Sequence, residues 1–163
     1  MNIQIMNPAG AFKRVADFRT GVDPDGEVIS YGGVYLPMRA NAAIARGALV
    51  SLVVPTATQS LSVKERVTGD LTSMTVGIAM EAATAADVLA GKLILVCIQG
   101  HALVNVGAGV PAAGNWGQHS ATTGIVAPTA AAIDATIING DILGVFLGTK
   151  DANNRASFWF QPR

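Results

Sequence analysis

The residues able to do chemistry in this chain are few, and their spacing does not suit a reaction. His101 and His119 are the two histidines and Cys97 the single cysteine. Cys97, His101 and His119 match no zinc-site spacing, and no fourth ligand is evident. His101 reads as a strand-edge residue and His119 as a loop residue. Ser120 follows His119, but neighbours in sequence do not make a base and its nucleophile, and there is no Gly-x-Ser-x-Gly elbow. Gly107-Ala-Gly109 opens like a dinucleotide fingerprint. Its third glycine is missing, and Val110-Pro111 breaks any helix that would follow. Asp17, Asp23, Asp25 and Glu27 supply carboxylates within a turn-rich stretch, where a solvated loop is the better account. No catalytic residue, cofactor site or metal site is therefore expected. Cys97 reads as a small buried hydrophobe, and one cysteine excludes an intrachain disulfide.

The totals point the same way. The chain has 163 residues, which fits one domain with an arm. Half of them are hydrophobic, and only 13% are charged, against roughly 25% in ordinary globular domains. Formal net charge is zero, so nothing draws the chain to nucleic acid or to an anionic membrane. A charge-poor, uncharged surface favours association, so part of it is expected to be covered in an assembly. The opening Met1-Asn-Ile-Gln-Ile-Met-Asn-Pro8 has no basic run followed by an apolar core, so no secretory signal is expected. No apolar run approaches the roughly 18 residues of a membrane span. The protein is expected to be made in the cytoplasm.

The elements that position these residues are strands. Residues 1–40 hold eight of the 22 charged residues, with Asp23-Pro-Asp-Gly26 as a turn signal, and read as an extended arm with local structure. Residues 41–163 read as a β-rich body. Strands are expected at 48–54, at a second run with Leu61, Val63 and Val67 on one face and Lys64 and Arg66 on the other, and at 73–80. The Ala-rich stretch 82–90 reads as one or two helical turns ended by Gly91. Leu93 to Ile133 contains no charged residue. At its start, an apolar run over 92–98, opened by Lys92, and an alternating run over 101–106 read as two strands joined by a glycine turn. Residues 120–136 read as a polar loop or weak strands. Two closing strands, 142–147 and 156–160, flank a turn at Asp151-Ala-Asn-Asn154.

One internal echo stands out. Ile44-Ala-Arg-Gly47 precedes Val76-Gly-Ile78 by the same interval that separates Pro111-Ala-Ala-Gly114 from Leu143-Gly-Val145. In each case a turn glycine enters a strand, and a later strand glycine permits a bend or a close backbone approach. Among the aromatics, Phe158 and Phe160 share a face expected to fill the core. Trp159, opposite them, and Trp116 are candidates for a subunit or partner interface, where tryptophan is enriched. Ile3-Gln-Ile5 and Val34-Tyr35-Leu36 are candidates to add to a neighbour's sheet edge.

Five segments follow one another in order: Ile44-Ala-Arg-Gly-Ala-Leu-Val50, Thr75-Val-Gly-Ile-Ala79, Ala90-Gly-Lys-Leu-Ile-Leu-Val96, Gly100-His-Ala-Leu-Val104 and Ile142-Leu-Gly-Val-Phe146. This order resembles the capsid decoration (head-stabilising, or cement) proteins of tailed bacteriophages over roughly residues 41–148. Lys92 stands where that family often has an acidic residue, and the first 40 residues match none of its motifs. The resemblance implies a mainly β, barrel-like or tulip-like domain that forms homotrimers on the exterior of the mature capsid. There it would clamp neighbouring major capsid proteins against the pressure of packaged DNA, with no catalysis and no cofactor. The rival readings are another β-rich structural module of a tail, fibre or cell surface, and a small hydrolase using Ser120 or an N-terminal carboxylate.

Overall fold

A single long strand, β9 (Leu93–Asn105), organises the molecule. The computed structural model describes residues 33–53, 62–68, 70, 75–129 and 142–161, together with the backbone of 3–6, 12–15, 20–22 and 28–30. The described residues are mainly β, with one short helix. The strands of the body are β5 (Gly33–Ala40), β6 (Leu49–Leu52), β7 (Ser62–Glu65), β8 (Thr75–Ala79), β9, β10 (Trp116–His119), β11 (Val126–Thr129), β12 (Ile142–Lys150) and β13 (Arg155–Phe160). They form one sheet in the order β11-β10-β12-β13-β9-β5-β7-β6-β8, and β8 also pairs with β9. That last pairing closes β9-β5-β7-β6-β8 into a five-stranded barrel.

The run expected to be two strands around a glycine turn is one strand. Gly100 does not turn the chain; it marks a change of partner. One edge of β9 pairs with β5 from Leu93 to Gly100. The other edge pairs with β8 at Val96 and Cys97, then with β13 from Gly100 to Asn105. The change from an apolar to an alternating pattern has the same cause. Ile94, Val96 and Cys97 are buried on both faces of the first half. In the second half Ala102 and Val104 point inward, while His101 and Leu103 stay half-exposed.

The four strands on the far side of β9 repeat the architecture of the barrel. In the first unit β6 pairs with β8 as Leu49↔Ile78 and Val50↔Gly77, followed by a bulge and Ser51↔Thr75. In the second, β10 pairs with β12 as Trp116↔Val145 and Gly117↔Gly144, followed by a bulge and Gln118↔Ile142. One constant sequence step carries every residue of the first set onto the second. A parallel contact closes each unit: β5 with β7 in the first, and Val106 with Val126 in the second. The glycine echo is part of this repeat. Gly47 and Gly114 turn with φ of +78° and +88°, a region other residues rarely enter. A Cβ on Gly77 would strike the Cys97 carbonyl, and one on Gly144 the Trp159 carbonyl.

The two cores meet across β9. The first unit encloses Ala40, Ile44, Val50, Val63, Ala79, Ile94 and Val96. The second encloses Ala102, Val104, Val126, Leu143, Phe146, Phe158 and Phe160, joined from outside the first barrel by Tyr35, Leu49, Ile78 and Cys97. The Tyr35 hydroxyl ties the units by donating to the His101 carbonyl at 2.8 Å. Helix α1 (Ala85–Leu89) follows Thr84, whose hydroxyl accepts from Asp87 N while the Asp87 carboxylate accepts from Thr84 N. This is a capping box, and Gly91 at φ +71° ends the segment. The β12–β13 turn forms as expected. Asp151 Oδ1 accepts from Asn153 N and Arg155 N, and Asn154 takes φ +57°.

Other expectations need adjustment. Arg66 is buried rather than on a solvent face, and Val67 is exposed; Leu61 lies outside the described residues. β11 forms within the stretch read as loop or weak strand, and 130–141 lie outside the described residues. β5 falls inside the segment read as an arm, yet it is a barrel strand. Before it, β1 (Ile3–Met6) pairs with β2 (Phe12–Val15), and β3 (Thr20–Val22) with β4 (Val28–Ser30), as two separate two-stranded sheets.

The glycine seats give a direct test of the repeat. Gly77→Ala and Gly144→Ala are each expected to lower unfolding free energy by about 1–3 kcal/mol or more, since a new Cβ must push a neighbouring strand aside. Gly148 lies in β12 with open space around its Cβ position, so Gly148→Ala is expected to stay within about 0.5 kcal/mol or to stabilise. Urea unfolding of the three variants checks this; equal effects at all three positions would contradict the close approach.

Candidate functional site

The described surface presents an outward sheet face. Strand register places Trp116, Val145, Trp159 and His101 side by side across β10, β12, β13 and β9. Paired residues on antiparallel strands point to one side of the sheet, and here that side is outward. Trp159 is 40% exposed and Leu147 49%, while Trp116 and Val145 are half-buried. The strands bearing the row are stiffened from behind. Phe146 and Phe158 meet edge to face, with centroids 4.8 Å apart. The Phe158 ring presses onto Gly117 and Gly144, where any Cβ would collide with it.

At the end of the row His101 Nε2 lies 2.6 Å from Ser157 Oγ. That distance suits a base and its nucleophile, so the surroundings decide the matter. Ser157 sits in mid-strand opposite Leu103, with β9 on one side of β13 and β12 on the other. On the β9 side the ladder runs unbroken through Ser157, and on the β12 side the register breaks between Phe146 and Lys150. The pair lies on a strand face, not at a helix N-terminus where amides converge as oxyanion donors. The pair is a cross-strand polar tie beside Trp159. Sequence reading missed it because His101 and Ser157 meet only through the β9–β13 register.

The other residues weighed for chemistry do not converge. His119 Nε2 contacts Thr75 Oγ1 at 3.0 Å, whereas Ser120 Oγ accepts from Thr122 N; the adjacent His119 and Ser120 face different partners. Cys97 Sγ lies 3.8 Å from the carbonyl of His101, not from its ring. Burial pushes the Cys97 thiol up to about 12, which keeps it protonated and unreactive. Among the described residues no three His, Cys, Asp or Glu side chains gather as a metal site. Asp17, Asp23, Asp25 and Glu27 lie outside the described residues. No helix among the described residues is long and apolar enough to cross a membrane.

The residues singled out for an interface separate into two groups. Trp116 and Trp159 come together on the outward row. Val34, Tyr35 and Leu36 instead form part of β5 and pair with β9 of their own chain; Tyr35 is buried and Val34 is exposed. Ile3 and Ile5 lie in β1.

No family model and no curated protein matches the chain. Among solved structures it is similar to the N-terminal base of the head fibre protein gp8.5 of bacteriophage phi29. The TM-score is 0.48 at 13% identity, over 78% of this chain and 93% of that one.

The state of Cys97 is directly measurable. A thiol reagent at pH 8 is expected to leave the folded protein unmodified and to label one thiol per chain in denaturant. The folded pKa lies above the ordinary value of 9.0, so the contribution of Cys97 to stability is full below about pH 9 and is lost as pH rises from there toward 12. In Cys97→Ser, loss of stability over that alkaline range should be smaller. Rapid labelling of the native protein would contradict the burial.

Proposed function

We propose that this chain is a structural virion protein of a tailed bacteriophage, which binds the outside of the mature capsid as a homotrimer and stabilises it against the pressure of packaged DNA. The observation that carries the reading is where the five family-like segments fall. They supply the turn into β6, then β8, the junction of α1 with β9, the second half of β9, and β12. They therefore form the framework of both units rather than scattered surface loops. A rigid, charge-poor body with an apolar outer face, and without converging titratable groups among its described residues, suits a load-bearing binding module. The reading rests on this framework and not on the head-fibre likeness, whose identity and TM-score are too low to transfer a role.

The arm supplies the capsid contact in this reading. The β1–β2 and β3–β4 pairs lie outside the nine-stranded sheet, with β2 near β5 and β4 near β9 of the body. Two-stranded sheets are marginal on their own in water, so each gains further from docking on a second surface. Deleting residues 1–20 is expected to leave a folded body, judged by circular dichroism, that binds capsids more weakly. Unchanged affinity would remove the arm from the contact.

Binding is expected to follow capsid maturation and to ignore salt. Apolar and backbone contacts repeated over three subunits raise avidity by roughly 10²–10⁴, and the gain vanishes where geometry forbids simultaneous engagement. Occupancy should be high on expanded shells of the cognate phage and low on its procapsids. It should change little from about 50 to 500 mM salt, while the Debye length falls from roughly 14 to 4 Å. Cosedimentation followed by negative-stain imaging reads both quantities. Collapse of binding over this salt range, or equal occupancy of procapsids, would overturn the corresponding part of the reading.

A further inference from the structure

We infer that copies of this chain join head to tail, the tryptophan row of one copy seating on the barrel mouth of the first unit in the next. The inference takes from the proposed function only the expectation that the chain self-associates. It names the surfaces and the mode of contact, and it concerns the free protein.

The internal repeat carries the argument, because one copy of this contact already exists inside the chain. Trp116, Val145, Trp159 and His101 of the second unit occupy the register positions of Leu49, Ile78, Cys97 and Tyr35 in the first. In the first unit that row is 0–2% exposed and belongs to the core of the second unit. In the second unit the same row faces outward. Its flank repeats the contrast. Met80 packs against that core, while Leu147, at the matching position of β12, is 49% exposed. The tail that the first unit buries is left open by the second.

The receiving surface has an open counterpart as well. In the second unit the row of the first unit shares its cluster with Leu143 and Phe160, which are 2% and 0% exposed. Their matches in the first unit are Val76 and Ile98. Both are only partly buried, at the margin of the first core. The head that the second unit fills internally is half-open on the first. A chain with one uncovered tail and one uncovered head, matched to each other as the two halves of its own internal contact, associates heterologously. Repetition of such a contact closes a ring when the rotation permits, and otherwise gives a filament.

The chemistry of the row fits a partner of this kind. No charged residue occurs between Leu93 and Ile133, so β9 and β10, the flanking strands of the tail, bring no charge that association must desolvate, and β12 and β13 carry charge only at Lys150 and Arg155. Trp replaces Cys97 and Leu49 at the positions that meet a separate copy, and tryptophan supplies large contact area where a surface must also tolerate water.

Two measurements on free protein test the inference. Trp159→Arg and Leu147→Arg alter exposed side chains, so native circular dichroism is expected. Each should weaken self-association by about 100-fold or more, in the range of tryptophan hot spots, and light scattering at micromolar concentration should then give the mass of one chain. Leu147→Cys marks the tail and Val76→Cys the head. Coexpressed and mildly oxidised, the two variants should form a disulfide-linked pair that neither forms alone. Crosslinking within a single variant would mean a two-fold symmetric contact and overturn the inference. So would a wild-type monomer, unchanged mass in both Arg variants, or absence of the mixed crosslink. An open filament with the mixed crosslink would uphold the head-to-tail contact and defeat the trimer. Loss of capsid binding with the crosslink intact would defeat the capsid role alone.

Discussion

The close approach of three strands at Gly100 is the constraint on which the molecule depends. There β9 faces Gly33 of β5 on one edge and Phe160 of β13 on the other. A Cβ on Gly33 would run into the backbone of Gln99 and Gly100. Because neither Gly33 nor Gly100 carries a side chain, β5 approaches β9 closely there, and one strand can serve as the last strand of one barrel and the first of the next. Each unit then closes its ladder through the same strand. The two cores share a wall, and neither unit is bounded without the other. Supporting backbone bonds lie beside this wall: Asn105 N donates to the Gly47 carbonyl at 2.8 Å, and Leu49 N to the Gly124 carbonyl at 2.9 Å.

That shared wall explains why equivalent positions carry different chemistry. Leu49, Ile78 and Cys97 pack into a dry core, where shape and volume decide stability. The same places in the second unit carry Trp116, Val145 and Trp159 on an outer face. Tyr35 and His101 occupy matching places, and both keep a polar bond: the tyrosine hydroxyl to the His101 carbonyl, and the His101 ring with Ser157. At two of the four matched positions the substitution follows burial, with Leu49 and Cys97 inside answered by Trp116 and Trp159 outside, while Ile78 and Val145 stay aliphatic and Tyr35 and His101 stay polar-tipped rings.

Much of the local structure was legible in the sequence because its causes are local. The capped helix, the Asp151–Asn154 turn, the inward Phe158 and Phe160 and the buried Cys97 all follow from turn chemistry, alternation and burial preference. The continuity of β9 was not legible. An apolar run, a glycine and an alternating run describe a hairpin as well as a strand that changes partners, and only long-range pairing separates the two. Arg66 was misplaced because its strand ends just before it. The aromatic face was half legible. Both tryptophans were recognisable as surface anchors, but their alignment with His101 and Ser157 requires the β9–β13–β12–β10 register.

The glycine echo shows how a weak sequence signal acquires physical meaning. Four glycines at matched intervals in a glycine-rich chain carry little information alone. The register makes them specific, since each turn glycine has positive φ and each strand glycine meets a neighbouring carbonyl. These are the positions where any side chain would strain the backbone or clash with it, so they constrain divergence most tightly. Side chains on the outer row face no such backbone limit. A repeat retained at its glycines and altered on its surfaces is the pattern expected when two units keep one architecture but meet different neighbours: the first meets its own second half, and the second meets the solvent or another molecule.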